Sequence, residues 1–345
     1  MWRFILVLLS LSTLVHSFGI SHYDQIASLR ISKKLASSTN QDELTLFSPC
    51  KINLFLRILG KREDGYHDLA SLFQAVGFGD TLELRLLGDN ADSDKFTCNM
   101  KGVPKDETNL VLRALTLMRE KTGKKNVYFA ANLIKECPAQ AGLGGGSANA
   151  ATAMFGANQL MGNPASPQEL VEWSADLGSD ITFFLSQGTA YCTGRGEIMT
   201  PIDPPLEAGT TLVIVKPNVG LSTPQVFKSL EYDKLSNISP DQLLQDFTNK
   251  FKDISKVNDH SFINDLEIPA FKNIPDLREL KESLQKVKGF QHVMMSGSGT
   301  GIFCLGYPDD MQAFEEQFLC RDDLQIFFTE FINRPKDVWY ERSSP

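Results

Sequence analysis

A run of glycines between a predicted strand and a predicted helix constrains this 345-residue chain more than any other feature. Four of the five residues 142–146 are glycine; the β-type segment 126–134 precedes them and the alanine-rich segment 147–161 follows. Glycine adopts positive φ and lets a ligand approach the backbone closely. The free N–H groups and the partial positive charge of the helix start then face the same point. The pattern therefore predicts an anion site, most simply one for phosphate.

The spacing of this loop separates it from two common nucleotide-binding loops. No Gly-Lys-Ser/Thr follows, so it is not a Walker A loop. Gly142, Gly144 and Ser147 occupy the positions of GxGxxG, and a dinucleotide site therefore stays open as an alternative. Such a site expects an acidic residue about 20 positions on, at the end of a second strand, whereas Glu169 and Glu172 lie within a predicted helix. A tight loop that binds no ligand is the other alternative.

Two candidate catalytic residues lie in other segments. Residues 46–59 alternate as a strand does, which places Lys51 and Asn53 on one face. Asp180 directly follows the predicted end of a helix. Taken singly, a lysine on a strand is usually solvated and an aspartate at this place is typical of a helix N-cap.

Two further loops have both a structural and a functional interpretation. Tyr66 and His67 end the polar loop 60–67, where they form either a plain turn or a pair that stacks on and hydrogen-bonds a flat heterocycle. The Ser/Gly loop 296–301 lies between two predicted strands. It is either a flexible hairpin or a second set of N–H groups that closes over a phosphate.

Composition limits the class of protein. Apolar residues make up 42% and charged residues 22%, as in soluble globular proteins, and the length suits two domains. A net charge of −8 disfavours general nucleic-acid binding, which needs a cationic surface. The cysteines are scattered without any CxxC pair, which predicts free thiols rather than a zinc site or disulfide framework. They are Cys50, Cys98, Cys137, Cys192, Cys304 and Cys320.

The N-terminus has the character of a targeting segment. Arg3 precedes the mostly apolar run 4–15, which is too short for a comfortable membrane span and resembles a secretory signal. Residues 18–40 are rich in serine, basic and poor in acidic residues, as transit peptides are. Together they predict a bipartite presequence, residues 1–44, for import into the plastid stroma; a secreted protein with a loose N-terminus is the alternative.

The order of elements predicts an α+β fold. Strands and helices are mixed, with several hairpin-length links, rather than in regular β-α alternation. Three prolines within 201–205 mark the best internal boundary. We therefore expect one domain over 45–205 and a second over 206–345.

The order of the motifs is similar to that of the GHMP small-molecule kinases over about 47–340. The three motifs are Pro49–Leu56, Pro138–Ser147 and Ser296–Gly301. Within that superfamily, 64–67 and 194–198 resemble the kinases whose acceptor is a cytidine diphosphate ester of a methylated four-carbon polyol. Residues 263–267 and the Trp339-Tyr340 end resemble the plant and algal type. Ala139-Gln140-Ala141 departs from the bacterial pattern, which has more glycines there.

The resemblance implies a fold and a set of site residues. The first domain would be ribosomal protein S5 domain 2-like and would bind ATP, and the second would be ferredoxin-like. Lys51 and Asp180 would be the catalytic pair, with Asp180 as the base. The ATP phosphates, bridged by Mg²⁺, would bind Pro138, Ala139, Gln140, Ala141, Gly142, Leu143, Gly144, Gly145, Gly146, Ser147 and Ala148. The resemblance leaves the protein ligands of the metal open, with Ser147 as a candidate.

For the acceptor, the resemblance makes Tyr66 and Phe227 aromatic walls around cytosine. His67 would read the edge of the base, and Asn53 and Thr223 would hold the polyol diphosphate. A small molecule is thus the expected partner, with no nucleic acid, no membrane in the mature protein and no protein partner evident. The alternatives are a mevalonate or homoserine kinase, a dinucleotide-dependent oxidoreductase, and a non-catalytic binding protein of this fold.

Overall fold

The computed structural model describes residues 42–249, 257 and 259–342. From Asp42 onward the chain forms one compact unit. The predicted presequence lies outside the described residues except for 42–44. Glu43 and Leu44 already pair with the second strand, so the folded part begins two residues earlier than expected.

The first half of the chain builds a six-stranded sheet with helices on one face. Its elements in chain order are β1 (Glu43–Lys61), β2 (His67–Leu86), β3 (Lys95–Cys98), α1 (Leu110–Thr122), β4 (Phe129–Ile134), α2 (Gly145–Leu160), α3 (Pro167–Ser174), α4 (Ile181–Phe184), β5 (Thr189–Gly194) and β6 (Ile198–Pro201). The strand order is β3-β4-β2-β5-β6, with β1 paired to β2. All pairs are antiparallel except β3 with β4.

The second half builds a four-stranded antiparallel sheet. Its elements are β7 (Thr211–Pro217), α5 (Thr223–Lys228), α6 (Pro240–Asn249), α7 (Glu267–Asn273), α8 (Pro275–Leu284), β8 (Phe290–Met295), β9 (Ile302–Gly306), α9 (Met311–Phe314) and β10 (Leu324–Glu330), with short 3₁₀ turns at Tyr232–Lys234 and Asp259–Ser261. The strand order β10-β7-β9-β8 corresponds to 4-1-3-2. This order is that of a ferredoxin-like βαββαβ unit and confirms the predicted α+β fold.

Three core clusters hold these layers together. One lies between the first sheet and its helices, one between the two sheets, and one between the second sheet and its helices. Helix α2 packs closely because its alanines at 148, 150, 151, 153 and 157 are fully buried. Strand β1 contributes to all three clusters, and residues 47–58 are buried on both faces. The middle of β1 is therefore the spine between the two halves.

Most predicted elements are present, with informative differences. The sequence Ser166-Pro167-Gln168-Glu169 predicts a capping box, and the structure confirms it at the start of α3, with reciprocal hydrogen bonds between Ser166 and Glu169. Alternation over residues 81–87 predicts a strand there, but β2 already begins at His67; its first part escapes prediction because residues 70–76 are buried on both faces and show no alternation. The sequence also predicts a helix over 309–320, whereas the helix observed is shorter and ends in a π turn, Glu315–Leu319.

Two further expectations concern thiols and membranes. All six cysteines lie in the described residues and are free thiols. Of the helices described, none combines the length and apolar character that crossing a membrane requires. The predicted boundary at 201–205 falls in the connection between β6 and β7, the last strand of the first sheet and the first strand of the second.

Candidate active site

A cavity of about 1320 Å³ opens where the two sheets and their loops meet. Elements from both halves line it, and they include every site residue predicted from the sequence except Ala148. Ala148 is buried, and its N–H donates to Gly144 O (2.8 Å) inside the helix. The cavity thus brings together side chains that are separated by more than 170 positions in the sequence.

The glycine-rich loop forms the floor of this cavity. Helix α2 begins at Gly145, two residues before the predicted start, with Gly144 as its N-cap at φ 70°. The first N–H groups of a helix have no partner within it, so those of Gly145, Gly146 and Ser147 are available to a ligand. The positive end of the helix dipole adds to their attraction for an anion.

The loop is held by neighbours that leave no space for side chains. A Cβ at Gly142 would lie 1.9 Å from Ser296 O, and one at Gly144 would lie 2.9 Å from the Phe184 ring. Both glycines have φ near +70°, which other residues rarely adopt. Lys51 N donates to Leu143 O (2.9 Å), which fixes strand β1 to the loop.

The Ser/Gly loop 296–301 holds the glycine-rich loop in place; most of its N–H groups are not free for a ligand. Thr300 N and Gly301 N donate to Gln140 O and Ala141 O, each at 3.1 Å, and Gly299 N donates to Ser296 O. These three N–H groups are therefore not free to bind a phosphate. The interpretation of this loop as a second set of phosphate-binding N–H groups does not hold for them. Residues 297–299 still line the cavity.

Lys51 and Asp180 meet at the centre of the cavity. Lys51 Nζ lies 3.5 Å from Asp180 Oδ2; the lysine side chain is 4% exposed and the aspartate 36%. Asp180 stands at the N-cap position of α4, but its side chain makes no capping hydrogen bond. Asp180 therefore has the N-cap position that the sequence favours but not the capping hydrogen bond, and its carboxylate is free to face the cavity.

Asn53 orients the lysine. Its Oδ1 accepts from Lys51 Nζ (2.8 Å) and its Nδ2 donates to Ser71 Oγ (2.8 Å). The lysine ammonium also lies 4.6 Å from the centre of the Phe73 ring. Because both ends of its amide are engaged, Asn53 holds Lys51 in place as well as lining the cavity.

The other end of the cavity is aromatic. Tyr66 is 58% exposed, and the Arg195 guanidinium lies 5.1 Å from its ring centre. The His67 ring lies 4.9 Å from that of Phe227 on helix α5, and His67 Nε2 is 2.7 Å from Tyr232 Oη. Burial, and next the nearby Lys61 charge, lower the pKa of His67 below its ordinary 6.5. Near neutral pH the ring is therefore an uncharged hydrogen-bonding group.

Thr223 connects the aromatic end to the loops. Its Oγ1 lies 2.8 Å from Ser298 Oγ, within hydrogen-bond distance. It stands at the start of helix α5, next to Pro224, with both residues lining the cavity. A ligand that spans the cavity would pass this hydroxyl between the phosphate loop and the aromatic rings.

The sequence did not identify four other lining residues. Tyr232, Arg195 and Lys135 each line the cavity, as does Lys228 on helix α5. Lys135 Nζ pairs with buried Asp80 (2.7 Å) and lies beneath Gly145. The Gly194-Arg195-Gly196 pattern was a usable signal for Arg195; no local pattern marks Tyr232, whose contact with His67 spans 165 positions.

The electrostatics of the cavity are opposite to those of the whole chain. Five cationic side chains line it, and Asp180 is the sole acidic side chain among the described residues that do so. The five are Lys51, Lys61, Lys135, Arg195 and Lys228. A protein of net charge −8 thus presents a locally positive cavity, which suits a ligand with several negative charges.

The described residues contain no group of three or more His, Cys, Asp or Glu side chains arranged to hold a metal ion. Mg²⁺ does not need such a cage, because it is commonly bound by one or two protein oxygens together with substrate phosphates. The Ser147 hydroxyl and the Asp180 carboxylate are oxygens of that kind in the cavity. The donor set therefore fits Mg²⁺ that is carried by a nucleotide.

Comparisons with known proteins agree with the geometry. Two family models match: GHMP kinases N terminal domain over residues 109–188 and GHMP kinases C terminal over 243–322. The chain is 45% identical to the chloroplastic 4-diphosphocytidyl-2-C-methyl-D-erythritol kinase of Arabidopsis thaliana, over 86% of this chain and 76% of that protein. It is 42% identical to the kinase of that name from Protochlamydia amoebophila, over 86% and 93%.

Solved structures show the same fold. A crystal structure of 4-(cytidine 5'-diphospho)-2C-methyl-D-erythritol kinase superimposes with a TM-score of 0.68 at 27% identity, covering 84% of this chain and all of that one. A homoserine kinase from Cytophaga hutchinsonii reaches 0.67 at 19% identity, covering 87% and 98%. The second likeness concerns the fold alone, since one fold carries several acceptor specificities.

Proposed function

This chain belongs to the GHMP kinase family, and we propose that it phosphorylates the 2-hydroxyl of 4-diphosphocytidyl-2-C-methyl-D-erythritol with ATP, giving the 2-phosphate and ADP. It is a small-molecule kinase that uses ATP. The reaction belongs to the non-mevalonate pathway to isoprenoid precursors. The enzyme works in the plastid, like the plant relatives that are named chloroplastic.

One observation supports this function above the others. A single positive cavity joins a backbone-built phosphate site to an aromatic pocket, and Asp180, the one acidic side chain among the described residues that line it, lies between them. A dinucleotide oxidoreductase does not require a carboxylate and a buried lysine at that junction. A mevalonate or homoserine kinase has no heterocycle in its acceptor to occupy the Tyr66 and His67 end.

The reaction follows from the central pair. An alcohol is too weak an acid to lose its proton unaided at neutral pH, so a base within hydrogen-bond reach is needed. Asp180 accepts that proton as the hydroxyl oxygen attacks the γ-phosphorus. Lys51, held by Asn53 and seated over Phe73, stabilises the negative charge that develops on the transferred group. Positioning and electrostatics supply most of the acceleration in phosphoryl transfer.

The phosphates of ATP bind the loop 138–147. The N–H groups of Gly145, Gly146 and Ser147 receive them, and the support from 296–301 keeps the loop rigid. Mg²⁺, when bound, neutralises phosphate charge, and the Ser147 hydroxyl is the protein oxygen we assign to it. Lys135, beneath Gly145, adds a positive charge at this end of the cavity.

The acceptor is recognised at the aromatic end. Tyr66 and Phe227 stack on cytosine, and each stack is worth about 1–3 kcal/mol. His67 reads the base edge, and its contact with Tyr232 fixes which ring nitrogen remains for the base. Thr223 holds the polyol diphosphate, and Asn53, which also holds Lys51, lies at the same part of the cavity. Arg195 packs over Tyr66 and balances the negative charge of the diphosphate.

The test is an ADP-release assay on the purified protein with ATP and Mg²⁺. Three acceptors are offered: 4-diphosphocytidyl-2-C-methyl-D-erythritol, mevalonate and homoserine. Turnover with the cytidyl acceptor alone is expected. Turnover with mevalonate or homoserine would retain the kinase and overturn the cytosine assignment. ATP binding without ADP release in the presence of any acceptor would favour the non-catalytic alternative.

A further inference from the structure

The chain returns to the first half after its last strand. Residues 331–342, which we call the C-terminal strap, follow β10 and run back over the first sheet. Trp339 and Tyr340 are buried in the core cluster of the first half. Trp339 Nε1 donates to Phe47 O (2.7 Å), and its ring stacks on Phe155 at 4.5 Å. The strap is thus a packed element of the first half.

The strap also contacts the segment that follows α4, the helix that Asp180 immediately precedes. Three consecutive carbonyls after α4, those of residues 185–187, accept hydrogen bonds from it. Arg334 Nη2 donates to Leu185 O (2.5 Å), and Arg334 Nε and Tyr340 Oη both donate to Ser186 O (2.7 and 2.8 Å). Arg334 N donates to Gln187 O (2.9 Å). Leu185 is the C-cap of α4, and Ser186 and Gln187 follow it, so these bonds fix the chain at the point where it leaves the helix.

Helix α4 depends on such external support. It has four residues, Ile181–Phe184, far fewer than a helix needs to be stable by itself. Asp180 immediately precedes it and makes no capping hydrogen bond that would hold the carboxylate. The position of the carboxylate is therefore set by the position of the helix behind it.

The same helix touches the other catalytic parts. Phe183 packs edge-on against Phe73 at 5.2 Å, and Lys51 lies over that ring. The Phe184 ring fills the space beside Gly144, where a Cβ would come within 2.9 Å of it. A shift of α4 would accordingly move Asp180 relative to both Lys51 and the phosphate loop.

We propose that Arg334 and Tyr340 are positioning residues for catalysis: by binding the carbonyls that directly follow α4, they hold the Asp180 carboxylate in the place beside Lys51 from which it accepts the proton of the acceptor hydroxyl. This rests on the proposed function, in which Asp180 is the base. A displacement of about 1 Å in a catalytic group costs on the order of 100-fold in rate. The strap therefore acts on turnover although it does not line the cavity.

The contacts of Arg334 require an arginine side chain. Besides its bonds to Leu185 O and Ser186 O, the Arg334 guanidinium donates to Val338 O (3.0 Å) and packs over the rings of Trp339 and Tyr340 at 5.5 and 5.4 Å. A planar fork of five donors makes these contacts at once, whereas a lysine ammonium is a single point of charge. Arg334→Lys should therefore retain few of these contacts.

The first experiment compares two arginines of the same strap. Arg334→Gln is expected to lower kcat roughly 10- to 100-fold, with KM for ATP and acceptor changed less than about threefold. Arg342→Gln is the matched control, because Arg342 donates to Gly79 O and Glu136 and does not bond to residues 180–187. Its kcat should stay near wild type. Arg334→Lys should resemble Arg334→Gln, and Tyr340→Phe should cost a few-fold, since Ser186 O keeps one donor.

A double substitution separates positioning from general weakening. If the strap acts through Asp180, Arg334→Gln should lower kcat much less in an Asp180→Asn background than in the wild type. Nucleotide-binding stoichiometry gives the active fraction, so unfolded protein does not enter kcat. An equal loss in both backgrounds, or a loss confined to KM for ATP, would overturn the positioning role.

Hydrogen exchange tests the same inference without activity. Amides of residues 181–187 should exchange faster in Arg334→Gln than in wild type and be unchanged in Arg342→Gln. Unchanged exchange there would overturn the inference even if turnover fell. If the wild-type protein phosphorylates none of the acceptors, the proposed function fails, and the exchange measurement alone then decides whether the strap holds α4.

Discussion

The two ends of the cavity present different parts of the chain to a ligand. At the phosphate end the groups that face the ligand are backbone N–H groups, in a loop packed so closely that no Cβ fits at Gly142 or Gly144. At the acceptor end they are side chains, and Tyr66 and Tyr232 are 58% and 48% exposed. Asp180 and Lys51 lie where the two ends meet.

This difference separates phosphate binding, which depends on a fold that kinases of several specificities share, from the choice of acceptor, which depends on side chains. A homoserine kinase has the same fold at 19% identity, so the architecture does not decide the acceptor. Phosphate needs N–H groups and positive charge, which backbone geometry provides in any sequence with glycines at the right places. A heterocycle needs particular side chains, which exposed positions can exchange without loss of the core.

The largest effect is expected where the two ends meet. Asp180→Asn keeps the shape and removes the base, so kcat should fall by about 10²- to 10⁴-fold. KM for ATP and for the acceptor should change little, because the residue belongs to neither binding end. Steady-state kinetics with both substrates varied measures this. A large change in one KM with kcat retained would place Asp180 in binding and not in catalysis.

The next prediction concerns the phosphate end of the cavity. Gly142→Ala puts a methyl group 1.9 Å from Ser296 O at a φ of +72°, so the loop must move. ATP affinity should fall at least about tenfold, measured by calorimetry, because a lost charge-assisted hydrogen bond costs about 1.5–3 kcal/mol.

Gly123→Ala is the matched control for that prediction. Gly123 has the same φ of +72° at the end of α1, with open space around it. Both variants should lose about 1 kcal/mol of stability from backbone strain. Equal ATP affinities in the two would show that the clash at Gly142 does not matter.

The third prediction concerns the acceptor end of the cavity. Tyr66→Ala should raise KM for the cytidyl acceptor by roughly 5- to 150-fold, the equivalent of about 1–3 kcal/mol for one stack. KM for ATP and the melting temperature should hardly change, because the side chain is largely outside the core. Tyr307→Ala, at a 45% exposed tyrosine that does not line the cavity, is the control. If both variants behave alike, Tyr66 does not stack on the base.

The smallest effect is a pH dependence confined to the acceptor end. Because burial and Lys61 lower the pKa of His67, the ring stays neutral to a pH below 6.5. KM for the acceptor should be flat from pH 8 to about 6.5 and rise only further into acid, as the ring gains a proton. Lys61→Gln removes the second cause, so the rise should begin at a higher pH. His67→Asn should abolish it; a rise that persists in His67→Asn belongs to another group.

The sequence predicted the residues of the phosphate end better than those of the acceptor end. The loop 138–147, the strand carrying Lys51 and Asn53, and the late Ser/Gly loop are local patterns, and the structure brings them to one cavity. The start of β2 was missed because its residues are buried on both faces, which removes the alternation that marks a strand. Tyr232 was missed because its relation to His67 exists only after folding.

Asp180 shows the limit most plainly. A short sequence around it is typical of a helix N-cap, and it does stand at that position, yet it makes no capping bond. Its freedom to face Lys51 depends on Phe73, on Gly144 and on the strap about 150 residues further along the chain. No window of sequence contains those contacts.

The sequence by itself determined the phosphate loop, because positive φ and free helix N–H groups follow from which residues are glycine over a few adjacent positions. It also determined the order of strands and helices from which the two α+β halves are built. Tertiary structure alone decided the positive charge of the cavity, the pairing of His67 with Tyr232 and the support of α4 by the strap. Those features depend on distances between side chains far apart in the chain, and packing the two sheets around β1 sets these distances.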